Sequence, residues 1–143
     1  MGPLLSVYLD TSVVIPLFLP DVFNQRARQF LATGISPIIS DFVSAEFVSV
    51  LGIRVRSRIT PETEARKALA NLDNWIRAVT VGADTMSADV RQAEATLRRL
   101  NLNLRTPDAI HLAIAQRLGA ELATFDIRMA DCARSLGLSI API

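Results

Sequence analysis

Short apolar segments of strand type alternate with segments carrying helix signals along the chain, and nothing else constrains the fold as much. Residues 5–9, 37–40, 78–81, 122–125 and 138–141 read as short buried strands, being β-branched, aromatic or otherwise apolar. Between them lie helix signals. Thr60-Pro61-Glu62 reads as a cap, a first-turn proline and a first-turn acid, and Thr106-Pro107-Asp108 repeats the pattern. Gly34, Gly119 and Gly137 stand where helices should stop. Strand–helix alternation of this kind implies a parallel sheet covered by helices, so the expected fold is a three-layer α/β/α sandwich of Rossmann type. At 143 residues, with no repeat, linker or low-complexity segment, residues 1–143 are expected to form one domain.

Composition closes off several classes of function. One cysteine, Cys132, and one histidine, His111, exclude a disulfide framework and any cysteine- or multi-histidine-based metal site within the chain. The longest apolar run, residues 13–19, is far short of a membrane span, and the N-terminus lacks the basic region of a signal peptide. With a mean hydropathy of +0.33, a cytoplasmic, soluble protein without membrane association is expected. The net charge of +1 selects no partner. The basic residues, however, are almost all arginine, and Arg54, Arg56, Arg58, Arg66, Arg98, Arg99 and Arg105 fall in groups. Arginine suits bidentate phosphate contacts, although a solvated helix face accounts for such a pattern equally simply.

In a parallel sheet, ligands bind beyond the carboxyl ends of the strands. Four acids belong there or face inward. Asp10 follows the first strand in VYLDTSVVI, and Asp126 follows LATF. Asp108 lies in the first turn of PDAIHLAIAQRL. Glu46, in FVSAEFVSVL, falls on a helical wheel within the apolar arc of Val43, Val50 and Ile53. Each has a structural explanation: Asp10 and Asp126 as N-caps, Asp108 as a dipole partner, and Glu46 as half of an ion pair with an arginine. Together they would form a cluster whose pairs repel by about 1 kcal/mol in water and about 4 kcal/mol at an effective dielectric of 20. Only a cation or a proton keeps such a cluster together. An oxygen-only donor set selects Mg²⁺ or Mn²⁺, and phosphodiester hydrolysis is the chemistry such an ion serves. On this view Asp108→Asn relieves repulsion and stabilises the metal-free protein. Asp41, Asp84, Asp89 and Asp131 are assigned to capping or solvent, and His111 to pairing with Asp108 or to packing.

The stretches VYLDTSVVI, SDFVSAEFVSVL, TPDAIHLAIAQRLGAELATFD and RMADCARSLGLSI resemble, in order, a PIN-domain nuclease of the VapC-like kind, the toxin of a type II toxin–antitoxin pair. The resemblance implies a Mg²⁺- or Mn²⁺-dependent ribonuclease acting on RNA, an inhibitory antitoxin partner and a homodimer. By it, Asp10, Glu46, Asp108 and Asp126 match the family's acidic positions, as catalytic residues and metal ligands. Ser12 and Thr124 match the accessory hydroxyls, which would hold the attacking water or a carboxylate. Arg54, Arg56 and Arg105 are the candidates for RNA contact, while Phe18 and Phe23, in IPLFLPDVF, would face a groove for a partner helix. Residues 55–90 carry no motif. Two other nucleotide or phosphate chemistries fail on single residues. A haloacid-dehalogenase-like phosphatase needs an acid where Ser12 stands, and a phosphoacceptor receiver needs a late lysine, whereas the only lysine is Lys67. The remaining alternative is a PIN-like binding module with weak or no cleavage.

Overall fold

The structure is a computed structural model and describes residues 5–143. In chain order its elements are β1 (Ser6–Leu9), α1 (Thr11–Phe18), α2 (Asn24–Leu31), β2 (Ser36–Ser40), α3 (Asp41–Arg56), α4 (Glu62–Val79), β3 (Val81–Ala83), α5 (Ser87–Leu97), α6 (Thr106–Leu118), β4 (Glu121–Ala123) and α7 (Ile127–Ser135). Four parallel strands run in the order β3-β2-β1-β4 between helical layers, which is the expected α/β/α sandwich. The central strand explains itself. Val7, Tyr8 and Leu9 are fully buried, as a parallel strand covered on both faces must be. Its one polar tip is satisfied: Tyr8 Oη lies 2.9 Å from Ser40 Oγ and 2.7 Å from His111 Nδ1.

The strand order decides where a ligand can bind. From β1 the chain moves outward through β2 to β3, then returns to the other side of β1 as β4. The reversal falls between β1 and β4, and connections leaving these strands in opposite directions open a crevice at their carboxyl ends. The helices are held by apolar packing. α1 packs against α2 and α3, α3 against α4, and α5 runs along α6. α6 buries seven consecutive residues, Ala109–Ala115, and stops at Gly119, whose φ of 61° belongs to the left-handed region that glycine enters without strain.

Three local readings of the sequence change. The strand expected at 78–81 begins only at Val81, because α4, whose buried residues are Ala65, Ala68 and Leu72, stays helical as far as Val79. Val79 and Val81 are both half exposed, so their hydrophobicity did not mark a buried strand. Residues 138–141 form only an isolated parallel bridge, Leu122 to Ile140, along the outer side of β4. The buried face of α3 is Val43, Phe47 and Leu51, while Ile53 is exposed, so Glu46 sits at the margin of that face. The caps also shift by one residue: α4 begins after Pro61, and Thr106 is already helical.

Candidate functional site

Asp10 is where the crevice becomes chemistry. It extends the β1–β4 ladder by one bond, its amide donating to Ala123 O at 3.2 Å, and it stands at the N-cap position of α1. Its carboxylate makes no capping bond. Instead Ser12 Oγ donates to Oδ1 at 2.6 Å and Thr124 Oγ1 to Oδ2 at 2.5 Å. Each hydroxyl is itself aimed by a backbone amide: Phe125 N donates to Ser12 Oγ at 2.9 Å, and Asp126 N to Thr124 Oγ1 at 3.0 Å. Two hydroxyls thus join the ends of β1 and β4, and the carboxylate between them is 4% exposed. Burial pushes the Asp10 carboxyl above the usual carboxylate range, more than the hydroxyl bonds and the neighbouring His111 pull it down.

Glu46 enters from α3, next to the residue that follows Asp10. Thr11 Oγ1 donates to Glu46 Oε1 at 2.6 Å, and His111 Nε2 pairs with the same oxygen. His111 is buried, and its other nitrogen meets Tyr8, so a chain of contacts runs Ser40–Tyr8–His111–Glu46 through the core. Partial burial raises the Glu46 carboxyl pKa, but His111 and Thr11 outweigh it and hold the group below its ordinary range. Glu46 therefore pairs with a histidine rather than an arginine, and His111 pairs with Glu46 rather than Asp108. The i,i+3 spacing within α6 suggested the wrong carboxylate, since Phe42 and Tyr8 flank the imidazole and turn it into the core.

Asp108 and Asp126 form the third part of the site. Asp108 Oδ2 accepts the Arg105 amide at 3.1 Å, and Asp126 Oδ1 accepts the Met129 amide at 3.1 Å, so both acids close helix N-termini. Arg128 stands between them, its Nη2 3.7 Å from Asp108 Oδ2 and 3.7 Å from Asp126 Oδ2. Arg128 opposes the repulsion expected between Asp108 and Asp126, and Asp108→Asn would remove one of its two ion pairs. Arg128 belongs to none of the arginine groups in the sequence, and its one local signal is a basic residue two positions after Asp126.

Among the described residues, no three His, Cys, Asp or Glu side chains are gathered closely enough to hold a metal ion together. The four acids lie instead in linked groups: Asp10 with the hydroxyls, Glu46 with His111, and Asp108 with Asp126 across Arg128. Their donors are all oxygen, which fits a hard divalent ion, and Arg128 marks where the site draws positive charge. Of the candidate RNA-binding arginines, Arg105 precedes α6 beside Asp108. Arg54 and Arg56 lie at the last turn of α3, about 12–15 Å along the helix from Glu46. Phe18 packs edge-on against Phe47 and Trp75, and Phe23 stacks on Phe125 at 4.4 Å, so both rings are engaged within the fold.

A model of the PIN domain matches residues 7–135, from β1 to the end of α7. The chain belongs to the PIN domain family. This PIN domain is 33% identical over 138 residues to Ribonuclease VapC46 of Mycobacterium tuberculosis (strain ATCC 25618 / H37Rv), covering 94% of this chain and 95% of that protein. Its fold matches the crystal structure of Mycobacterium tuberculosis VapC20, a Sarcin-Ricin loop cleaving toxin. The TM-score is 0.73 at 18% identity, covering 96% of this chain and 99% of that one. DNA-bound VapBC from Salmonella typhimurium matches with a TM-score of 0.70 at 18% identity, covering 96% and 98%. No helix among the described residues is long and apolar enough to cross a membrane.

Proposed function

We propose that this PIN domain is a divalent-metal-dependent endoribonuclease, the toxin of a type II toxin–antitoxin pair, with RNA as substrate and a cognate antitoxin as inhibitor. The observation that carries the reading is Asp10: a buried carboxylate at the topological switch point, aimed by two hydroxyls and, among the described residues, paired with no arginine or lysine. The relation to Ribonuclease VapC46 over most of both chains supports the substrate class. The VapBC complex supports the antitoxin. A homodimer and the extent of the domain over residues 1–143 belong to the same proposal.

Asp10, Asp108 and Asp126 would hold Mg²⁺ or Mn²⁺, with Glu46 completing the set directly or through water. When bound, the ion supplies a Lewis acid that acidifies water and stabilises charge on the phosphoryl oxygens. The chain's own residues do the rest. Ser12 and Thr124 fix both oxygens of Asp10, so the carboxylate needs no reorganisation when a substrate arrives. Glu46 is kept ionised by His111 and Thr11, which suits it to orient a water or hold the ion rather than to take up a proton. Arg105, with Arg54 and Arg56 further out, would meet the phosphates of the strand.

The test is cleavage of single-stranded RNA by highly purified protein in Mg²⁺, in Mn²⁺ and in EDTA, beside Asp10→Asn. Cleavage that needs the metal and is lost in the variant is expected. Sustained cleavage in EDTA would reject the metal, and RNA binding without cleavage in either metal would favour a binding module.

A further inference from the structure

Among the described residues three arginines contact aspartates, one of them the exposed Arg134 beside Asp131, and the other two do so differently. Arg117 holds Asp89 through two short bonds, at 2.8 and 3.0 Å. Arg128 approaches Asp108 and Asp126 only to 3.7 Å each, beyond hydrogen-bonding distance. Neither of these acids depends on it for orientation, because each accepts a backbone amide at 3.1 Å. The Arg128 side chain is 36% exposed, and its long stem can carry the guanidinium outward without disturbing α7. Arg128 neutralises the pair without fastening it.

We propose that Arg128 is a displaceable counter-ion: it competes with the divalent ion for Asp108 and Asp126 and, once displaced, binds a phosphate of the RNA. This rests on the reading of these acids as metal-holding. A divalent ion drawn to the two carboxylates would repel the guanidinium beside it. Displaced, a planar guanidinium at the rim of the crevice is suited to a bidentate phosphate contact. Metal occupancy and RNA affinity are therefore coupled through one side chain, and by linkage the coupling is reciprocal.

The test uses the full chain with Mn²⁺ as the probe, its binding followed by the paramagnetic signal of the free ion. Wild type, Arg128→Gln, Arg128→Lys and Asp108→Asn are compared. Arg128→Gln should bind Mn²⁺ about threefold to tenfold more tightly, as expected for removal of two part-exposed ion pairs. Arg128→Lys, which keeps the charge, should stay near wild type, and Asp108→Asn should bind far more weakly. In parallel, anisotropy of a labelled oligouridylate is measured in EDTA and in Ca²⁺. The gain in RNA affinity on adding Ca²⁺ should shrink in Arg128→Gln, with the salt slope in Ca²⁺ reduced by about 0.7 and unchanged in EDTA. Unchanged or weaker Mn²⁺ binding by Arg128→Gln, with wild type binding normally, overturns this inference alone. Equal tightening by Arg128→Lys does the same. Absence of Mn²⁺ binding by wild type overturns the metal-holding reading and this inference with it.

Discussion

Asp10 and Asp89 are both buried aspartates in one small fold, and they are treated in opposite ways. Asp89, in the first turn of α5, is 2% exposed, receives the Met86 amide at 2.8 Å, and is gripped by Arg117 from α6. Burial acts to raise its pKa, but Arg117 and the Met86 amide more than reverse this, so the carboxyl lies below its usual range. Asp10, 4% exposed, is given two hydroxyls and, among the described residues, no arginine or lysine partner, and its carboxyl is pushed up. Burial is common to both; the counter-ion differs. The α5–α6 contact is neutralised from within and serves stability. Asp10, at the β1–β4 crevice, has no such internal partner, which accords with the proposed divalent ion.

The comparison can be broken most decisively by exchanging charge for an amide. Asp10→Asn should lower RNA cleavage by roughly 10²-fold or more, since losing even an outer partner of a metal site costs 10- to 100-fold. In EDTA the same variant should melt higher than wild type. A single cleavage assay and one pair of melts check both halves, and a variant that keeps its activity or melts lower would place Asp10 with the structural acids.

Asp89→Ala should do the reverse, leaving cleavage by the folded protein near normal while destabilising it by about 2–4 kcal/mol. Breaking a buried pair costs about 3–5 kcal/mol, and Arg117 keeps part of its hydration. Urea unfolding followed by circular dichroism measures the loss.

The pH dependence of the two aspartates should also have opposite sign. The folded-state pKa of Asp89 is depressed, so its contribution is present above about pH 4 and is lost as pH falls through the folded value. The pKa of Asp10 is raised, so in EDTA stability declines as pH climbs from about 4 through its folded value. Unfolding of wild type minus Asp10→Asn, measured from pH 4 to 7, should therefore widen with pH, and a flat difference would mean that Asp10 is not strained by ionisation.

Smaller effects should follow Tyr8→Phe, which removes the hydroxyl between Ser40 and His111 and leaves a buried ring nitrogen without its partner. A loss of about 1–3 kcal/mol is expected in denaturant melts. Asp108→Asn should change metal-free stability least, by less than about 1 kcal/mol and downward, because the part-exposed ion pair to Arg128 is weak.

The two regions were not equally legible in the sequence. Asp10 was readable because parallel strands carry a positional rule, in which residues just past the carboxyl end face a crevice, whereas Thr124 came only with the resemblance to PIN-domain nucleases. The alternation that gave the α/β class rested on Val7, Leu9, Ile38 and Leu122, whose burial the structure bears out. Asp89 was set aside as a cap or solvent residue, and the cap is there, but Arg117 lies 28 residues away and no periodicity connects them. Glu46 and His111, 65 residues apart, are a pair of the same kind. Arg128 was legible only as a charge, since its relation to Asp108 depends on how α7 is laid against α6. Local chemistry was visible; pairing across elements was not.

The bond between Thr124 and Asp10 spans 114 residues, and the register of β1 with β4 spans the same interval. During synthesis Asp10 emerges early, but the strand and hydroxyl that fix it do not exist until residues 121–126 have been made. Closing such a long loop comes late in folding and is entropically costly. A growing chain therefore cannot fix Asp10 in its crevice until the strand that leads to Thr124 has been made.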